Sequence, residues 1–296
     1  MQTIGALVTE HIAVGVVENH QLAAPPRVFP TTPEAFSDTL EGMPAEEIVQ
    51  HIAEEIEIAS KGLTINAVGI GFPGINRNGF IEESPNLQQT KGLNLGQGLG
   101  ESLTRKGINA PVRVLNDADA LAAGIAATRG RLDQLVRVWF LGVGVGLGRY
   151  PDIAGVGEGG HSVVTLDPRE KFCGCGGVGH LEGIMGHRAM RLRFLDREPE
   201  EVFAEAAAGD QRCSEFVLLW HRALAAATAS TVHFDGPGKF YISGPSAQFV
   251  QIALLDQYVR DMVKMSTLQT NTFEVIPTSD EIALIGAAVS AAQAAA

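Results

Sequence analysis

The sequence predicts an α/β protein, and three observations carry that expectation. Its 296 residues, 45% of them hydrophobic, suffice for one large or two medium domains with a sizeable core. Short Val- and Ile-rich runs alternate with helical patterns along most of the chain. Glycines at Gly142, Gly144, Gly146 and Gly148 mark a turn after one of these runs.

In chain order, residues 3–18 alternate and read as two strands of a hairpin. Pro25, Pro26, Pro30 and Pro33 mark a loop. The stretch from Pro44 to Ser60 reads as a helix: Ile48, Ile52 and Ile56 recur every four residues, Pro44 suits the first position, and Gly62 closes it. Residues 65–72 and 112–115 read as buried strands, the latter feeding a helix over 118–128, and 136–141 reads as another strand. Helices are predicted at 183–195, 199–208 and 211–232. A strand at 240–243, a helix at 247–266, a strand at 273–276 and a helix at 280–292 complete the series. His187, Cys213 and Trp220 fall in predicted helices and read as packing residues. Glu54, Glu55, Asp256 and Asp261 read as solvated helix faces.

A net charge of −12 opposes general nucleic-acid binding, which needs a basic surface. No apolar run reaches about 18 residues, so no membrane span is expected. The first twenty residues lack a basic segment and carry Glu10, His11 and Glu18, unlike a targeting peptide. Three cysteines make no disulfide framework, and a reduced cytoplasm is the simplest reading.

The densest chemistry lies in residues 158–182, EGGHSVVTLDPREKFCGCGGVGHLE. His161, Cys173, Cys175 and His180 supply the two nitrogens and two thiolates of a tetrahedral zinc site. Four protein ligands leave no open position, so such an ion is structural. The bland alternative is a glycine-rich loop with two free thiols. Glu158 and Glu182 flank the cluster and are able to grip hydroxyl groups. Asp117 follows a strand, where α/β folds place functional groups, but it also suits the cap of the helix after it.

This segment resembles the signature of the ROK family, named for repressors, open reading frames and kinases. Its Glu-x-Gly-His appears as Glu158–His161, and its Cys-x-Cys-Gly-x-x-Gly-Cys-x-Glu as Cys173–Glu182, with His180 in place of the third cysteine. Gly69–Gly74, Ser84-Pro85-Asn86-Leu87, Leu115-Asn116-Asp117-Ala118, Gly142–Gly146, Ile242–Pro245 and Leu284–Ala288 resemble further family motifs. The resemblance covers nearly the whole chain. It implies a two-lobed actin-like ATPase (ribonuclease H-like) sugar kinase fold. The small lobe is expected at 1–116 plus 281–296 and the large lobe, with the zinc segment, at 117–280. It also implies a homodimer, and without a helix-turn-helix module ahead of the first strand the repressor branch is not expected.

The resemblance makes Asp117 the catalytic base and gives Asn86, Asn116, Asp117, Glu158, His161 and Glu182 to a glucose-like hexose. It gives Gly142, Gly144, Gly146 and Gly244 to ATP with Mg2+, and structural zinc to His161, Cys173, Cys175 and His180. One feature departs: the opening Asp-x-Gly-Gly-Thr phosphate loop is replaced, with Ala6 at the aspartate and Val8-Thr9-Glu10 where Gly-Gly-Thr should stand. Val143 likewise stands where a phosphate-binding threonine is usual. Side chains there oppose close approach of phosphate to backbone. Two readings stay open at this point: transfer of the γ-phosphoryl group of ATP to a hexose hydroxyl, or a sugar-binding pseudokinase that senses without turnover.

Overall fold

Val and Ile in period-two order build the first sheet. β1 (Gln2–Val8) and β2 (Ile12–Glu18) pair antiparallel, Val8 opposite Ile12. β3 (Gln21–Leu22) and β4 (Arg27–Phe29) add to β2. The proline-marked loop is thus partly strand, because Pro26 and Pro30 flank the three paired residues and cost the ladder no donor. After α1 (Phe36–Glu41) and α2 (Ala45–Ala59), β5 (Ile65–Phe72) runs parallel to β1. The small hairpin β6 (Ile75–Arg77) and β7 (Phe80–Glu83) precedes α3 (Leu95–Arg105). β8 (Val112–Asn116) extends the sheet parallel to β5 and runs into α4 (Asp117–Thr128). The computed structural model describes residues 2–32, 36–153 and 157–296; Pro33 lies outside these.

The second sheet has the order β10-β9-β11-β12, from β9 (Val136–Leu141), β10 (Val145–Tyr150), β11 (Lys239–Ser243) and β12 (Thr272–Val275). Around it lie α5 (Glu182–Met185), α6 (His187–Arg193), α7 (Pro199–Ala207), α8 (Gln211–Asp235) and α9 (Ile252–Met262). The predicted helix 183–195 breaks at Gly186, whose extended backbone separates α5 from α6. The predicted helix 247–266 is reduced to α9 between short 3-10 turns. Trp139, Trp220, Phe194 and Leu224 are fully buried in this unit's core.

Two compact units emerge: residues 1–136, 148–156 and 279–296, and residues 137–147 and 157–278. This division differs from the expected lobes chiefly because α4 joins the first unit. The closing helix α10 (Asp280–Ala295) packs along α4 at backbone distance. A Cβ on Gly124 would lie 1.7 Å from Ile282 O, and one on Gly286 1.8 Å from Ala120 O. Residues 148–153 follow α4 as well, since Arg149 N–H donates to Asp119 Oδ1 at 2.8 Å.

Candidate active site

In the second unit the chain folds Glu158–Glu182 back on itself. Glu158 precedes a 3-10 turn, Gly159–His161, that lies against β10: a Cβ on Gly160 would meet Val145 O at 1.9 Å. The loop returns through a bridge between Val163 and His180, and Leu181 N–H donates to Ser162 O at 2.9 Å. That return stacks the His161 and His180 rings, centroids 5.4 Å apart.

The thiols complete the cluster. Cys173 Sγ lies 3.4 Å from Cys175 Sγ, and His180 Nδ1 lies 3.2 Å from Cys175 Sγ. Donor atoms of His161, Cys173 and Cys175 fall within 4.8 Å of one another. Zinc–sulfur bonds of about 2.3 Å at tetrahedral angles put two sulfurs about 3.7 Å apart, so the spacing suits that ion with slight expansion. The donor chemistry fits too. Burial and the neighbouring His161 hold the His180 imidazole below its ordinary pKa, keeping a nitrogen lone pair available at neutral pH. Gly177 makes room for the ring: a Cβ there would lie 2.0 Å from His180 Cε1. The Cys173 thiol is pushed up to about 12, mainly by burial, with Glu182 and Cys175 adding to the rise. A bound cation would have to displace that proton, which makes binding at this thiol pH-dependent.

The two glutamates differ. Burial raises the Glu158 pKa, opposed by His161 and reinforced by Glu182. Glu182 sits between the cluster and the β9–β10 turn. Its Oε2 accepts from Val145 N–H at 3.1 Å, while Oε1 lies 3.5 Å from Cys173 Sγ and 3.8 Å from His161 Nε2. A Cβ on Gly144 would lie 2.6 Å from Glu182 Oε2. Gly144 thus leaves room for the carboxylate where it stands, a role the glycine pattern alone did not show.

The β9–β10 turn itself spends Gly142 N–H on Gly144 O at 3.0 Å. Gly146 lies beyond it within β10. Gly244, φ +97°, turns the chain after β11, and its N–H donates to Thr278 Oγ1 at 3.1 Å. Thr278 is a residue that sequence reasoning missed, since a lone threonine before a helix carries no signal.

In the first unit, Asn116 caps α4: its Oδ1 accepts from Ala118 N–H at 2.8 Å and its Nδ2 donates to Gly74 O at 3.0 Å. The cap role considered for Asp117 therefore falls chiefly to Asn116, which leads into Asp117 at the first helical position. Asp117 Oδ1 also lies 3.0 Å from Ala118 N. Gly74 packs where β7 runs into the Ser84–Leu87 loop: its missing Cβ would meet Glu83 O at 2.3 Å and Ser84 Cα at 2.9 Å. Asn86 is exposed on that loop. The structure thus joins Asn116, Asp117 and the loop carrying Asn86 within the first unit. It joins Glu158, His161, Glu182 and the cysteines within the second.

The departure at the opening hairpin is visible. The turn is Thr9–His11, with Thr9 N–H donating to His11 O at 3.0 Å, and His11 Nε2 lies 2.7 Å from Asp280 Oδ2 on α10. The model of the ROK family matches residues 9–294. The chain belongs to this family. It is 30% identical to a glucokinase of Thermotoga maritima over 285 residues, covering 85% of this chain and 87% of that protein. A ROK hexokinase from Thermus thermophilus superposes with a TM-score of 0.79 at 24% identity, covering 99% of each chain. A ROK family glucokinase from Streptomyces griseus, solved with glucose and AMPPNP, gives a TM-score of 0.68 at 24% identity, covering 99% of this chain and 100% of that one. The fold of this ROK protein is accordingly the actin-like ATPase fold of sugar kinases. Among the described residues no helix is long and apolar enough to cross a membrane.

Proposed function

We propose that this ROK protein is a hexose kinase that moves the γ-phosphoryl group of ATP to a sugar hydroxyl. The observation that carries the reading is the placement of Asp117 on the first turn of α4, behind an Asn116 cap clamped to Gly74. Similarity to kinases over nearly the full chain favours transfer over a sugar-binding protein without turnover.

Phosphoryl transfer asks the protein mainly for positioning and electrostatics. In this reading Asp117 accepts the proton of the attacking hydroxyl. The sugar oxygen bonds to the γ-phosphorus as the bridging P–O bond breaks, and ADP leaves. Mg2+ accompanies ATP and offsets its charge. Asn86, Asn116, Glu158, His161 and Glu182 hold the remaining hydroxyls, and such a polar site rejects sugars that leave its groups unpaired. His161, Cys173, Cys175 and His180 would hold zinc, which supplies a structural crosslink for the loop that carries Glu158 and Glu182. The three cysteines are free, in keeping with a reducing cytoplasm. A homodimer is the assembly the family implies, and light scattering would read it directly.

The test is Asp117→Asn. Turnover of a hexose with Mg-ATP should fall by about three orders of magnitude or more, while calorimetric hexose affinity stays within about twofold. Turnover equal to the parent enzyme would remove Asp117 from the base role.

A further inference from the structure

His187 read from sequence as a packing residue, and it is buried. Its bonding shows more than packing. At the start of α6 its backbone N–H donates to Gly142 O at 3.1 Å. Its imidazole Nε2 meets Ser246 Oγ at 2.6 Å, inside the protein. Ser246 is fully buried and follows Gly244 and Pro245 directly.

One residue therefore fastens two separate turns, Gly142–Gly144 and Gly244–Ser246. The two turns also lie in van der Waals contact. A Cβ on Gly142 would lie 3.6 Å from Pro245 Cδ, and one on Gly244 2.4 Å from Leu141 O. Burial holds the His187 imidazole below its ordinary pKa, so it remains neutral and shares a single proton with the serine hydroxyl. An apolar residue of equal volume would fill the space without this link.

We propose that His187 is a positioning residue for the phosphoryl donor: its link to Ser246 fixes the distance between the two glycine turns that receive the nucleotide. The inference rests on the kinase reading of those turns. It does not require the hexose side, and Glu158 and His161, which lie in the same unit, serve as an internal control.

The experiment compares the parent protein with His187→Leu, His187→Gln and Ser246→Ala. Calorimetry with Mg-ATP and with glucose, zinc content, and amide exchange of peptides spanning 142–146 and 244–249 are read for each. Loss of a buried hydrogen bond should raise the Mg-ATP Kd and KM about tenfold in His187→Leu and Ser246→Ala. The kcat, glucose Kd and zinc content should stay within about twofold, and exchange should rise in both turns without nucleotide present. His187→Gln, which can still bond Ser246, should recover most of the affinity. Glucose and Mg-ATP affinities falling together would show a general structural role and overturn the proposal. Unchanged Mg-ATP affinity and unchanged exchange would overturn it while leaving the kinase reading intact. A parent protein that takes glucose but no Mg-ATP would overturn both.

Discussion

Gly177→Ala should separate the metal from the fold. A Cβ at this position would lie 2.0 Å from His180 Cε1, while carbons pack comfortably at about 3.5 Å or more. The ring must therefore retreat by about 1.5 Å. An imidazole can swing away at little cost to the apo protein, and Gly177 already holds a backbone conformation open to alanine, because its φ is not positive. Its N–H would still donate to Cys175 Sγ, 3.3 Å away. Zinc is less forgiving, since ligand distances must hold to about 0.2 Å. A structural site is worth about 10–16 kcal/mol over four ligands, so losing one ligand costs about 3 kcal/mol, or roughly a hundredfold in affinity. Competition with a chromophoric chelator measures this directly, beside urea unfolding of the metal-free protein. Gly177→Ala should bind zinc about a hundredfold more weakly with an unfolding midpoint near that of the parent. Zinc affinity within about threefold of the parent would refute His180 as the fourth ligand.

Three further outcomes are expected. His221 is fully buried, donates Nδ1–H to Val217 O at 2.8 Å, and accepts Gln251 N–H at Nε2, 2.9 Å away; burial lowers its pKa against the weaker raising effect of Val217 O. The unfolded chain then binds more protons as pH falls below about 6.5, so this stability is full above that pH and is lost on acidification, by at most about 1.4 kcal/mol per unit. His221→Gln should flatten the slope in urea midpoints between pH 8 and 5.5, and an unchanged slope would point elsewhere. Glu182→Ala should weaken hexose binding and loosen the β9–β10 turn together, seen by calorimetry and by amide exchange at Val145; protection retained at Val145 would contradict the bracing role. Gly286→Val should destabilise the first unit by about 3 kcal/mol or more, because the new side chain meets Ala120 O and the Gly124 backbone, and an unfolding midpoint equal to the parent's would sink that account of α10.

The sequence showed the fold wherever apolar periodicity was strong, and it hid elements where glycine or context replaced periodicity. The helix at Ile48, Ile52 and Ile56 was legible because one stripe of isoleucines is buried. α3 was not, since Gly96, Gly98 and Gly100 dilute its pattern; its Leu95, Leu99 and Leu103 are nevertheless buried, and Asn94 caps it by accepting from Gln97 N–H. The zinc candidates were legible as residue types at short spacing. What no spacing announces is the second role of Glu182 on Val145 N–H, or His187 reaching Ser246 across 59 positions. Both depend on tertiary packing that brings separate segments together, and neither side chain differs in type from an ordinary helix residue.

The erosion of the opening phosphate loop has a bounded structural meaning. The Val8-Thr9-Glu10 stretch that stands at its Gly-Gly-Thr positions runs into an ordered turn, Thr9–His11: Thr9 N–H is spent on His11 O, and His11 reaches Asp280. In the second turn, Gly142 N–H is spent on Gly144 O and Val145 N–H on Glu182. Neither Val143 N–H nor Gly144 N–H has a protein acceptor among the described residues. Successive backbone donors of this kind form a concavity suited to phosphate, whatever side chain stands at Val143, because the contact is made by the main chain. Donor recognition in this reading therefore shifts from the first hairpin toward the second turn. Glu182, through Val145 N–H, and His187, through Gly142 O, both hold that turn in place.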